Sequence, residues 1–317
     1  MDITRYMVDA AGIQALSRHQ IATFFDRNKP ITQESCDETA ALITRGGPVV
    51  PTPAQGMTSY TVIAGINPKA IQFCAPEAAL DMKVMALAKS MYKDFAPGCE
   101  KRDSLGPLIV YEMDVVEGVA FSIAQRDICA INKYSLLERT VQDLAKFFAL
   151  SWTSGIDMTL WIDTAVTSVE LSQRLENLAD ALPERFRAKL IEVRDQLPLL
   201  FALDYPQVLN HADLWEMNIH VNASTGGIAG IVDWHDATVG PFGLSFWGLE
   251  TLLGTFVQMA GTFMPVTSNY GGYFGRPSML PQALSRSLKS GQSRLEGSLA
   301  SSRRTVSEKG YPWRQET

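Results

Sequence analysis

Apolar residues recur at three- and four-residue spacing in some stretches of the chain and gather into short runs in others. Leu80, Val84, Leu87, Ala88 and Met91 share one face of EAALDMKVMALAKSMYK and predict an amphipathic helix. In LLERTVQDLAKFFALSW, Leu137, Val141, Leu144 and Phe148 do the same, joined by Leu136, Ala145 and Phe147. VELSQRLENLADAL reads as another helix. PERFRAKLIEVRDQL follows with Pro183 near its first turn and Phe186, Leu190, Val193 and Leu197 on one face. Two further helices are expected near the start, one around IATFF at 21–25 and one capped by Thr32 or Ser35 and stopped by Gly46-Gly47. The short apolar runs YTVIAGI at 60–66, residues 70–73 and PLIVYEM at 107–113 predict strands. NIHV at 218–221 and IAGIV at 228–232 flank the turn sequence ASTGG and predict a β-hairpin.

Composition narrows the class. The 317 residues are 46% hydrophobic and 20% charged, which suits a globular chain with a sizeable core. A net charge of −6 argues against a general nucleic-acid binder. Cys36, Cys74, Cys99 and Cys129 are widely spaced, which reads as reduced thiols rather than a disulfide frame or a metal site. Asp2, Arg5 and Asp9 interrupt any signal-like apolar start, and LLGTFVQMAGTFM from Leu252 is too short to span a bilayer and reads as a buried helix. A cytoplasmic protein without membrane partners is expected. From Gly272 onward eight Arg or Lys face three Glu in a Ser- and Gly-rich context, so 272–317 reads as a weakly ordered basic tail.

The chemistry concentrates in VLNHADLWEMNIHVNASTGGIAGIVDWHDATVGPFG, from Val208. Antiparallel pairing of the hairpin brings Asn218 and Asp233 to one end, with Asp213 in the loop beside them. An amide oxygen and carboxylates without a cysteine cluster suit a hard cation such as Mg²⁺ or Mn²⁺.

The spacing H-x-D-x-x-x-x-N, followed after fourteen residues by V-D-W, resembles the aminoglycoside phosphotransferase-like family, notably its fungal members with V-D-W-x-x-A and P-F-G. The resemblance implies an α+β, two-lobed protein kinase-like fold with a small antiparallel-sheet lobe and a larger, mainly helical lobe. It divides the chain into an N-terminal helical extension (1–45), a nucleotide-binding small lobe (46–114), a large lobe with the catalytic hairpin (115–271) and the tail. It implies that ATP and Mg²⁺ are the cofactors and that a small-molecule acceptor is phosphorylated on a hydroxyl or amine. Asp213 would act on the acceptor, Asn218 would serve catalysis and hold a metal, and Asp233 would hold metal. His211 would lock the loop, and Glu250 would brace it. Gly56, Thr58 and Ser59 would lie over the phosphates, and the backbone around Glu112, Met113 and Asp114 would meet adenine.

Two features depart from the family. Ala212 stands where glycine is usual, which a negative φ tolerates. Gln72 stands where a lysine usually meets the α- and β-phosphates, with Cys74 two residues on; Lys69 faces the opposite way by strand alternation. Glu77 and Asp81 are candidates for the lysine's acidic partner or for simple helix-start charges. A catalytically silent kinase-like binding protein and a metal-dependent hydrolase remain the competing readings.

Overall fold

The computed structural model describes residues 10–130, 134–161, 165–253, 256–259 and 262–265. The chain divides into two units, Met1–Leu253 and Gly254–Thr317. The first opens with helices α1 (Ala10–Arg27) and α2 (Gln33–Ile43). Thr32 caps α2 by accepting from the Ser35 amide, and the Ser35 hydroxyl accepts in return from the Thr32 amide. Strands β1 (Val49–Pro51), β2 (Ser59–Ala64) and β3 (Lys69–Cys74) follow, then helix α3 (Met82–Tyr92), β4 (Cys99–Lys101) and β5 (Ile109–Asp114). All five strands form one antiparallel sheet in the order β1-β2-β3-β5-β4.

Strand alternation gives this sheet two distinct faces. Tyr60, Val62, Ala64, Ile71, Phe73 and Val110 point to one side and pack with Phe24 of α1 and Cys36 and Ala40 of α2. The N-terminal helices thus belong to the small-lobe core. The other face presents Ser59, Thr61, Gln72, Cys74, Tyr111 and Met113, as the cross-strand register requires. Helix α3 lies between sheet strands in the sequence, yet Met85, Ala88, Met91 and Tyr92 join the core of the large lobe.

That lobe begins with β6 (Val119–Ala120) and α4 (Phe121–Ile128), and α5 (Tyr134–Thr153) crosses its centre, burying Leu144 and Phe147. Helices α6 (Ser168–Ala181) and α7 (Arg187–Gln196) come next. Neither buries a residue; of the apolar face expected there, only Leu197, just past α7, is buried. Strand β7 (Gln207–Asn210) pairs with β10 (Thr238–Pro241), and β8 (Ile219–Val221) pairs with β9 (Ile228–Ile231) and β6. Helix α8 (Trp247–Leu253) closes the unit. A small antiparallel sheet lobe and a larger helical lobe are therefore present, as the resemblance implies.

The second unit is described by one antiparallel pair, Phe256–Met259 with Thr262–Pro265. The buried helix expected from Leu252 is thus corrected: helix ends at Leu253 and strands follow. Gly254 and Ala260-Gly261 punctuate the apolar run, and Val, Thr and Phe favour extended backbone. The basic tail, 272–317, lies outside the described residues. Among the described residues no helix is long and apolar enough to cross a membrane.

The β8–β9 turn is docked on α5. Thr140 donates its hydroxyl to the Gly226 carbonyl at 2.6 Å, and the Asp143 carboxylate accepts from the Ile228 amide at 3.2 Å. Gly226 has φ +73°, and a Cβ there would lie 2.1 Å from the Leu136 carbonyl oxygen. Gly226→Ala combines a left-handed backbone with a backbone clash and is expected to cost about 3 kcal/mol or more. Urea unfolding with a midpoint close to the parent's would contradict this account of the turn.

Candidate functional site

The loop 211–218 hangs between two strand pairs that fix both of its ends. Asn210 is buried, and its amide donates to the carbonyls of Val208, Gly240 and Pro241, each at 3.2 Å. Ser245 donates to Asn210 Oδ1 at 3.3 Å and to the His211 carbonyl at 3.2 Å. The brace is therefore Ser245, not Glu250, which lies exposed on α8. A small hydroxyl more than thirty residues from its partner leaves no local pattern in a sequence. Behind the loop, Trp234 is buried against His211, Tyr92 and Phe147, with ring centroids 4.7 Å apart for the His211 pair. The Tyr92 hydroxyl, at the end of α3, donates to the Leu209 carbonyl and ties that helix to β7.

His211 has a determined tautomer. Its Nε2 lies 2.8 Å from the Val232 carbonyl, which only accepts, so Nε2 carries the proton. Its Nδ1 then accepts from the Asp213 amide at 3.3 Å. Burial pushes its pKa down to about 4, so the ring is neutral near pH 7 and serves as a fixed link between loop and hairpin. Ala212 avoids positive φ, so the missing glycine costs nothing at this turn.

Asp213 and Asn218 are in direct contact. Asn218 Nδ2 donates to the Asp213 carbonyl at 2.7 Å and to Asp213 Oδ2 at 2.9 Å. The Asn218 carbonyl accepts from the Val232 amide at 2.9 Å, which puts Asn218 opposite Val232 and beside Asp233 at one end of the hairpin. Asp233 takes φ +63°, an uncommon conformation for a residue other than glycine, so the backbone is bent out of the strand there. Burial within the surrounding protein mass raises the Asp233 pKa, and the nearby Asp213 and Asp236 charges raise it further, with His235 opposing. Asp233 is itself exposed to solvent, which discounts the burial contribution and keeps the shift small.

The sheet face that carries Gln72 is partly covered, with Cys74 and Tyr111 buried against Ala78. Burial above all, then the charges of Cys99 and Asp233, push the Cys74 thiol up to about 12. Gln72 lies two residues back on the same face, and its amide donates to Ser59 Oγ at 3.3 Å. Ser59 in turn fills the space where Gly56 lacks a side chain, since a Cβ there would lie 2.8 Å from Ser59 Oγ. The loop is stapled by Gln55, which donates to the Thr61 carbonyl at 2.7 Å and accepts from its amide at 2.9 Å. Gly56, Ser59 and Gln72 are thus brought together. Thr58 is exposed, and its carbonyl accepts from the Ala75 amide.

Lys69 belongs to the other face and is held 3.0 Å from Asp114. Asp114 also accepts from the Gly98 amide at 2.9 Å, and the Lys69 hydrogen bond foremost holds its pKa below the usual carboxylate range. Glu112 takes Arg102 at 2.7 Å, and Met113 packs beside Cys74 and Tyr111. Glu112, Met113 and Asp114 lie in a strand paired on both sides, so their backbone is already engaged. The first residues beyond it are 115–117, the link between the lobes. Asp81 caps α3 by accepting from the Lys83 amide at 2.7 Å, and Glu77 is exposed. Neither forms an ion pair with Lys69, so both fit the reading as helix-start charges.

Among the described residues no three His, Cys, Asp or Glu side chains converge on one metal position. The donors that the hairpin end could offer a cation are instead one carboxylate and one amide oxygen, since Asn218 spends Nδ2 on Asp213 and turns Oδ1 away from it. Such a sparse set suits Mg²⁺ shared with phosphate oxygens and water, not an all-protein cage.

Residues 132–254 match the model of the Phosphotransferase enzyme family. No curated protein matches the chain. Among solved structures, a macrolide 2′-phosphotransferase from Brachybacterium faecium is 16% identical, with 71% of this chain and 85% of that chain covered and a TM-score of 0.42. A choline/ethanolamine kinase family protein from Mesorhizobium loti is 14% identical, covering 70% and 69%, with a TM-score of 0.45. An aminoglycoside phosphotransferase from Streptomyces rimosus, in complex with ADP and streptomycin, is 16% identical, covering 64% and 78%, with a TM-score of 0.38. At these identities and scores the likenesses fix neither substrate nor cofactor.

Proposed function

We propose, from the phosphotransferase-family pattern of residues 132–254, that the chain transfers the γ-phosphoryl group of ATP to a hydroxyl, or else an amine, of a small molecule. The observation that carries this reading is the doubly used Asn218 amide. It fixes the Asp213 carboxylate while its own backbone pairs with Val232, next to Asp233. Asp213 accepts a hydrogen bond from the acceptor hydroxyl, aims its oxygen along the line of attack and takes its proton as transfer completes. Asn218 holds that carboxylate in one orientation, and neutral His211 holds the backbone beneath it. Asp233 and Asn218 Oδ1 would hold Mg²⁺, which supplies charge neutralisation on the phosphates. Gly56 and Ser59 close over the phosphates, and Gln72 donates to them as an uncharged amide.

Thermal-shift measurements with Mg²⁺–ATP, metal alone and nucleotide alone test the first half of the reading. A stabilisation that requires metal and nucleotide together is expected, followed by transfer of labelled phosphate to an organic acceptor in a metabolite screen. Labelled phosphate released only to water would instead mark a hydrolase.

Gln72 favours a second reading, a kinase-like binding protein that transfers nothing. Lys69 cannot replace the absent charge, because Asp114 holds it on the other face. Phosphoryl transfer in the metabolite screen separates the two, and Gln72→Lys tests whether residue 72 meets phosphate. If residue 72 meets phosphate, the added charge is expected to tighten Mg²⁺–ATP about tenfold, or roughly 1.4 kcal/mol. A dissociation constant that does not move in titration calorimetry would remove Gln72 from the nucleotide site.

A further inference from the structure

Resting on that reading, we infer that the acceptor is an alcohol with a flat, apolar ring, and that Trp215 and Trp247 form its platform beside Asp213. Trp215 is two residues from Asp213, and its backbone has no freedom to wander. Its amide donates to the Asp213 carbonyl at 2.9 Å, and its carbonyl accepts from the Asn218 amide at 2.9 Å. The indole of Trp215 nevertheless remains 44% exposed. Tryptophan is highly buried on average, so a half-open Trp215 on a loop tied by its backbone to a candidate catalytic residue is an informative exception.

The second ring completes a corner. Trp247, in the first turn of α8, meets Trp215 edge to face with centroids 5.1 Å apart and planes at 63°. Helix α8 can lie this close because Gly248 has no side chain: a Cβ there would sit 2.6 Å from Leu214 Cγ and 2.8 Å from the Leu214 carbonyl oxygen. Leu214 itself is fully buried, so the loop is anchored between the carboxylate and the indole. Trp247 packs against the large-lobe core, whereas Trp215 is not among the core's packed residues. The indole therefore has apolar surface left to cover, with little side-chain entropy to lose on covering it.

Trp215 leans on Trp247 of α8, in the large lobe. A ring stacked on Trp215 would present an attached hydroxymethyl group to Asp213, two residues back in the same hydrogen-bonded loop. The neighbouring ionisable side chains, Asp213 and Glu216, are acidic, which disfavours an anionic acceptor.

The test uses the full chain and 2-naphthylmethanol as probe, read by saturation-transfer NMR, with glucose and glycerol as non-aromatic-ring and acyclic comparisons. The naphthyl protons are expected to receive saturation, Trp215→Ala to weaken binding at least about tenfold, and Trp215→Phe to recover most of it. Mg²⁺–ATP affinity should stay the same in all three proteins. Unchanged naphthyl binding in Trp215→Ala overturns the inference, as does binding of glucose or glycerol in preference to the aryl alcohol. The readout does not depend on turnover. Trp215-dependent binding without phosphoryl transfer to any acceptor sustains the platform and removes the phosphotransfer reading; transfer to an acceptor with no Trp215 dependence does the reverse.

Discussion

Replacing Asp213 by asparagine is expected to lower kcat by about 10²–10⁴-fold with little change in unfolding midpoint or Mg²⁺–ATP affinity. Asn218 Nδ2 reaches Asp213 Oδ2 at 2.9 Å, so the amide introduced at 213 can keep this contact by turning its oxygen toward Asn218. Its remaining atom group is then NH₂, which donates and cannot accept from an acceptor hydroxyl. The contact of Asn218 with the 213 carbonyl is a backbone bond and survives. Loss of turnover without loss of fold or nucleotide is therefore the signature of a group acting on the acceptor. Purified Asp213→Asn protein with near-parent kcat would take Asp213 out of the mechanism. A fall in Mg²⁺–ATP affinity matching the fall in turnover would move it to the nucleotide side instead.

The elements that could be read in advance are those governed by local rules. Helices α3 and α5 follow from three- and four-residue spacing, and the β8–β9 hairpin follows from its paired runs and tandem glycines. Once that hairpin is accepted, the proximity of Asn218 and Asp233 follows from antiparallel register alone. What escaped is set by distant partners. Ser245 braces a loop 34 residues away, and Asp143 docks a turn 85 residues away. A lone serine or aspartate within a helix-forming or turn-forming stretch carries no mark of such a task. Burial alone would raise the Asp143 pKa, but Lys146 and Arg139 hold it below the usual range, which fits a structural anchor. The extent of β5 was also hidden, because only pairing on both edges decides where strand ends and free backbone begins. Spacing likewise predicted an apolar face on α7, although periodicity reports which residues share a face and not whether anything covers it.

Asp233→Asn is expected to uncouple stability from function. The Asp233 pKa is raised in the folded chain, by burial first and then by Asp213 and Asp236. A carboxyl raised in this way favours the fold while protonated, and that stability is lost as pH climbs through its folded pKa. Near pH 7 the charged form is therefore a burden on the ligand-free protein. The neutral amide relieves it, so the ligand-free variant should unfold at a slightly higher temperature than the parent. The same change removes the carboxylate from a donor set that otherwise offers only the Asn218 amide oxygen. Mg²⁺–ATP affinity should then fall about a hundredfold or more, roughly 2.7 kcal/mol, and the ligand-induced rise in unfolding temperature should largely disappear. In the parent protein, metal–nucleotide binding should weaken on acidification, beginning at a higher pH than for an ordinary aspartate. Asp233→Asn should lack that dependence. A variant that is both destabilised and fully competent for Mg²⁺–ATP would mean that the bent backbone at 233 serves packing alone, and the metal would have to be sought elsewhere.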